Sequence, residues 1–108
     1  MPGADFICQD ILAFLEYCQI EKGLAENSLK AYTRDLEKFN LFFRKDLQPK
    51  RPAVEDLHRY VDSLYASGMS SRSIARHLTT LRCFFSFLLR EGRISSDPTV
   101  RLSSPRQW

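Results

Sequence analysis

The chain has 108 residues, 44% hydrophobic, 12% aromatic and 27% charged, which suffices for one core but not for two domains of ordinary size. Four Gly and five Pro exclude a collagen-like or low-complexity chain. No apolar run is long enough to span a bilayer, and Met1-Pro2-Gly3-Ala4-Asp5 lacks the basic and apolar stretches of a secretory signal. Cys8, Cys18 and Cys83 have no CxxC spacing, and only His58 and His77 are available to join them. They read as free thiols in a reducing cytoplasm, with no metal and no cofactor expected.

From Asp5 to about Glu21, Ile7, Ile11, Phe14, Leu15 and Cys18 recur at helical steps of three and four, and Gly23 follows as the terminating residue. Asn27 is the expected N-cap of a second helix whose stripe is Leu29, Tyr32, Leu36, Phe39 and Phe43. The prolines of Gln48-Pro49-Lys50-Arg51-Pro52 break the chain. A shorter helix runs from about Val54 through Leu57, Val61 and Leu64 to Ala66, closed by Gly68. Ser70 or Ser71 caps a fourth helix carrying Ile74, Leu78, Leu81, Phe85 and Leu88, widened by Phe84 and stopped at Gly92. Ser95-Ser96-Asp97-Pro98 and Ser103-Ser104-Pro105 read as turn and linker. Period-two alternation and hairpin dipeptides are missing, so the predicted class is all-α, a four-helix bundle over residues 1–92 with a linker at 93–108.

Charge separates by helix. Residues 1–26 carry a net −4, residues 27–52 a net +4, residues 53–69 a net −2 and residues 70–108 a net +5. The total of +3 therefore hides two basic segments, the footprint of a protein that neutralises phosphates. The competing reading of such runs is a solvated helix face. In the second helix Asn27, Ser28, Lys30 and Arg34 cluster in the first two turns, near the positive end of the helix dipole. In the fourth, Arg72, Arg76, Thr79 and Cys83 form a ridge away from the apolar stripe, with Ser70 and Ser71 at its amino end. Arg, Asn, Ser and Thr are side chains that meet base edges or phosphates when a helix lies in the major groove.

No spacing of Ser, Cys, His and carboxylate marks a catalytic triad or a metal site, and the glycines form no phosphate-cradling loop. His58 and His77 read as surface or half-buried helix residues. The set Phe39, Phe42, Phe43, Phe84, Phe85 and Phe87 reads as core packing, with Phe87 the candidate for an exposed docking residue.

The run Glu21-Lys22-Gly23-Leu24-Ala25-Glu26-Asn27-Ser28-Leu29-Lys30-Ala31-Tyr32-Thr33-Arg34-Asp35-Leu36-Glu37-Lys38-Phe39 resembles the start of Xer-type tyrosine recombinases and phage integrases. So does the stretch from Ser71 to Leu88, followed by Gly92, Asp97-Pro98 and Ser104-Pro105-Arg106. This resemblance covers about residues 6–106. It implies an amino-terminal SAM-like core-binding domain, half of a clamp around double-stranded DNA, with the second and fourth helices toward the major groove. By matched position the implied DNA contacts are Asn27, Ser28, Lys30, Arg34, Ser71, Arg72, Arg76, Thr79 and Arg82, the last bordering the apolar stripe. Ser28 keeps the hydroxyl of a common Thr, and His77 replaces a commonly apolar residue. The family's catalytic Arg, Lys, H-x-x-R and Tyr groups cannot be assembled here, so this fragment is not expected to cut DNA. The resemblance further implies other protomers as partners, a tetramer on two sites, and no membrane. Two rival readings are a protein-interaction helical bundle and a non-cutting regulator.

Overall fold

The computed structural model describes residues 6–45, 52–100 and 102. Among the described residues there are four helices and no strand: α1 (Phe6–Ile20), α2 (Glu26–Lys45), α3 (Val54–Ala66) and α4 (Ser71–Arg90). This is the all-α class that the periodicity predicts. The Gln48-Pro49-Lys50-Arg51 break, the Ser103-Ser104-Pro105-Arg106 stretch and the side chain of Ile7 lie outside the described residues. Two compact units result, Met1–Arg51 and Pro52–Trp108.

In the first unit α1 packs against α2. Ile11, Phe14 and Cys18 of α1 are buried, as are Leu36, Phe39 and Phe43 of α2, at helical spacings that put each set on one side of its helix. The Phe14 and Tyr32 rings stack with centroids 6.0 Å apart. Asp10 and Asp35 are also buried, and each is held by a polar or electrostatic interaction, as a buried carboxylate must be. Between the helices Gly23 takes φ 61°, and the Leu24 N–H reaches back to the Cys18 carbonyl at 3.0 Å. The expected N-cap at Asn27 is corrected. The helix starts two residues earlier than that cap implies, at Glu26, because the Ala25 carbonyl already accepts the Leu29 N–H at 2.9 Å. Asn27 therefore lies inside the first turn.

In the second unit α3 packs against α4. At the start of α3 the Ala53 N–H donates to the Asp56 carboxylate at 2.8 Å, so the carboxylate three residues on satisfies a donor that Ala53 itself has no side chain to help. Leu57, Tyr60 and Leu64 are buried whereas Val61 is only half-buried, so Tyr60 takes the inward place expected of Val61. The helix ends in a Schellman turn: Gly68, at φ 89°, donates to Tyr65 at 3.0 Å while Met69 donates to Leu64 at 3.2 Å. Ser70 caps α4, its hydroxyl oxygen accepting the Ser73 N–H at 3.2 Å. Gly92 repeats the Schellman pattern, with Arg93 N–H on Leu88 at 2.9 Å and Gly92 N–H on Leu89 at 3.1 Å.

The α4 stripe of Ile74, Leu78, Leu81, Phe84, Phe85 and Leu88 is buried throughout. Two expectations fail on this helix. His77 is 3% exposed, neither a surface nor a half-buried residue, because position 77 lies three beyond Ile74 and four before Leu81 on the inward side. Its Nδ1 meets the buried Tyr60 hydroxyl at 3.3 Å, which gives the ring a polar partner within the core. Phe87 is 5% exposed and offers no docking point. The Arg90 guanidinium lies 5.9 Å from its ring centroid.

Candidate nucleic-acid interface

On α4 the ridge is where the spacing predicts it. Arg72, Arg76, Thr79 and Cys83 are all exposed, and Ser71 is half-buried at the amino end. The Thr79 hydroxyl donates to the Ala75 carbonyl at 3.1 Å, leaving its oxygen lone pairs facing outward. No acidic residue occupies the first turn of α4, so the positive end of the helix dipole and Arg72 act in the same direction on an anion. Two arginines four residues apart, flanked by hydroxyls, present fork-shaped donors suited to phosphate or to guanine.

On α2 Asn27, Ser28, Lys30 and Arg34 are likewise exposed, with Asn27, Lys30 and Arg34 on one ridge. This helix end differs from that of α4. Glu26 stands in its first turn and pairs with Lys30 at 3.6 Å, both side chains being largely in solvent. Such a pair is weak and screened by salt, so Lys30 is readily taken over by a phosphate, yet Glu26 opposes the approach of an anion to the dipole. Within this unit an open depression of about 620 Å³ is lined by Gln19, Leu24, Leu29, Lys30, Thr33 and Arg34, with Glu26 at its side. Gln19 and Thr33 were not singled out from the sequence. Each is polar at a position next to the apolar pattern, a signal that periodicity alone does not separate from ordinary surface.

Arg82 stands apart from the other candidates. It is half-buried, and its Nη2 donates to the Leu102 carbonyl at 3.0 Å, a partner twenty residues on that spacing does not foretell. The structure thus gathers Ser71, Arg72, Arg76 and Thr79 on α4, and Asn27, Ser28, Lys30 and Arg34 on α2, and directs the Arg82 head to backbone. Among the described residues no group of three His, Cys, Asp or Glu is arranged to hold a metal, and none of the three cysteines is in a disulfide, Cys83 being exposed. No helix among them is long and apolar enough to cross a membrane.

Comparison with known proteins gives this arrangement a family. Residues 11–92 match the model of the phage integrase N-terminal SAM-like domain. The chain is 38% identical over 95 residues to a tyrosine recombinase XerD of Staphylococcus haemolyticus, covering 86% of this chain and 32% of that protein. It is 35% identical over 97 residues to the XerD of Listeria innocua, covering 87% and 33%. A tyrosine recombinase XerC of Oceanobacillus iheyensis is 38% identical over 95 residues, covering 86% and 31%. The chain spans about a third of the length of these relatives. No solved structure gives a significant match. With four helices and a family match over most of its length, the chain is an all-α SAM-like bundle that belongs to the phage integrase N-terminal domain family, of the Xer tyrosine recombinase type.

Proposed function

We propose that this domain binds double-stranded DNA at a recombination site and supplies part of the grip on the duplex, through Ser71, Arg72, Arg76 and Thr79 on α4 and Asn27, Ser28, Lys30 and Arg34 on α2. The observation that carries this reading is the exposed α4 ridge. Cationic and hydroxyl side chains recur there at steps of four and three above a fully buried stripe, at a helix end free of acidic residues. Relatives named as tyrosine recombinases support it. The domain itself cleaves nothing. Strand cleavage belongs to a catalytic part of the kind that full-length recombinases carry, and residues 1–92 act as the DNA-holding domain with 93–108 leading from it. Protomers then meet on paired sites as a tetramer.

Substitution tests this directly. The double variant Arg72→Ala/Arg76→Ala is expected to bind duplex DNA at least about tenfold more weakly at moderate salt, since each removes a charge-assisted contact. Undiminished affinity would remove α4 from the interface. If either arginine reads a base, its loss costs about 1–3 kcal/mol of discrimination between cognate and scrambled duplexes, whereas loss of a phosphate contact weakens both equally.

One observation favours a protein contact as well. Leu12 and Ile20, two turns apart on α1, are 64% and 69% exposed, with exposed Glu16 between them. This acidic and apolar side of α1 suits another protomer. Salt-sensitive self-association of a chain with no DNA affinity would make protein interaction its primary role.

A further inference from the structure

The segment after α4 is built rather than loose. Helix α4 ends at Arg90, and the Schellman turn at Gly92 reverses the chain. Arg82 lies eight residues before that end, which at 1.5 Å per residue is about 12 Å back along the helix, yet its guanidinium reaches the Leu102 carbonyl at 3.0 Å. The Leu102 carbonyl therefore lies back beside the last turns of α4 rather than beyond its end. A tight turn makes this return possible. The Asp97 carboxylate accepts the Thr99 N–H at 2.8 Å and the Thr99 hydroxyl at 2.6 Å, Pro98 between them has a fixed φ, and the Leu102 N–H bonds the Thr99 carbonyl at 3.1 Å. Thr99 and Leu102 are 3% and 8% exposed, so the turn is anchored by burial at both ends and by Arg82 at its last described residue.

From this geometry we infer that Arg82 is a positioning residue. It pins Leu102 to α4, close to the Asp97–Thr99 turn, so that whatever the chain carries beyond Leu102 departs from a point fixed by the helix proposed to face DNA. Without the pin only the burial of Thr99 and Leu102 would hold the departure point back from the end of α4 at Gly92. This rests on the proposed DNA reading by α4 for its consequence, though not for the pin itself. The chemistry suits arginine. An arginine stem can lie along apolar surface while its planar fork offers several donors to a carbonyl oxygen.

The test is heteronuclear NOE and amide exchange on the 108-residue chain, wild type against Arg82→Met and Arg82→Lys, with duplex affinity and thermal unfolding measured on the same samples. Arg82→Met is expected to drop the order of Thr99, Val100 and Leu102 to that of flexible chain and to speed exchange of the Leu102 amide about tenfold. Amides of Leu78 to Phe85 stay protected, and duplex affinity stays within about twofold, because a phosphate contact is not lost. Arg82→Lys, which keeps a donor, restores most of the protection, an outcome that loss of packing alone would not produce. Unchanged order at Thr99 to Leu102 in Arg82→Met overturns the inference. So does a large fall in duplex affinity with the turn still ordered, which would make Arg82 a DNA contact. If instead Arg82→Met frees the turn while Arg72→Ala/Arg76→Ala leaves affinity intact, the pin stands and the DNA reading falls.

Discussion

Arg72 and Arg76 differ from Arg82 in one respect that governs what each does: the first two have exposed side chains, and the third is half-buried with its fork on a carbonyl. An exposed guanidinium stays largely hydrated, so a phosphate can reach it from solvent. A guanidinium already spanning two segments contributes to order instead. His77 shows the same dependence on surroundings. A ring at an inward helix position requires a polar partner, and the Tyr60 hydroxyl at 3.3 Å provides one between α3 and α4. Tyr60→Phe is therefore expected to lower unfolding free energy by about 0.5–1.5 kcal/mol, read as a shift in urea midpoint with unchanged slope. No shift would mean that the hydroxyl contributes nothing to this pairing. The α4 stripe is legible from sequence, whereas Val61 is not the inward residue of α3 and the burial of His77 and Phe87 is not foreseen. Periodicity assigns a side, and only the tertiary packing decides how wide the buried side becomes.

At the scale of elements, turns decide where the basic ridges begin. The Schellman turn at Gly68 and the Ser70 cap together set the first residue of α4 and hence the place of Arg72. Nothing lies within 4 Å of a Cβ built on Gly68 or Gly92, so substitution there acts through backbone strain alone. Gly68→Ala and Gly92→Ala are each expected to destabilise by about 1 kcal/mol, and Ser70→Ala by about 0.5–2 kcal/mol, as measured by thermal or urea unfolding. An unchanged stability in all three would contradict this account of how α4 is bounded. Gly68 and Gly92 are readable from residue type because a positive φ has few chemical solutions, while the cap is narrowed from sequence only to Ser70 or Ser71. The start of α2 is not readable in this way. Asn27 is the better N-cap by type, yet the Ala25 carbonyl closes the first turn two residues earlier and places Glu26 within it. That shift changes the chemistry of the site, since an acidic side chain now shares the helix end with Lys30. In the proposed DNA reading it makes the start of α2 a less favourable anion site than the start of α4.

For the molecule as a whole, a net charge of +3 conceals how strongly charge is partitioned. The segments containing α2 and α4 are basic, and those containing α1 and α3 are acidic. Partition of this kind gives an oriented field that draws an anionic polymer to particular helices, beyond what net charge supplies. The pattern was readable before any fold was known. The doubling back of the chain onto Arg82 was not, since a hydrogen bond spanning twenty residues leaves no local trace. Raising Glu26→Gln on α2 is expected to tighten duplex binding modestly, about two- to threefold at low salt, by removing an opposing charge near Lys30. A loss of affinity in that variant would show that the pair with Lys30 organises the site.

Neutralisation of several phosphates at once is tested by fluorescence titration of this chain into duplex DNA across a range of salt concentrations. Each neutralised phosphate contributes a slope of about −0.9 in log K against log salt. The account predicts a slope steeper than about −2, reduced by about 1 in Arg72→Ala and again in Arg76→Ala. A slope near zero, or no binding even at low salt, would contradict it.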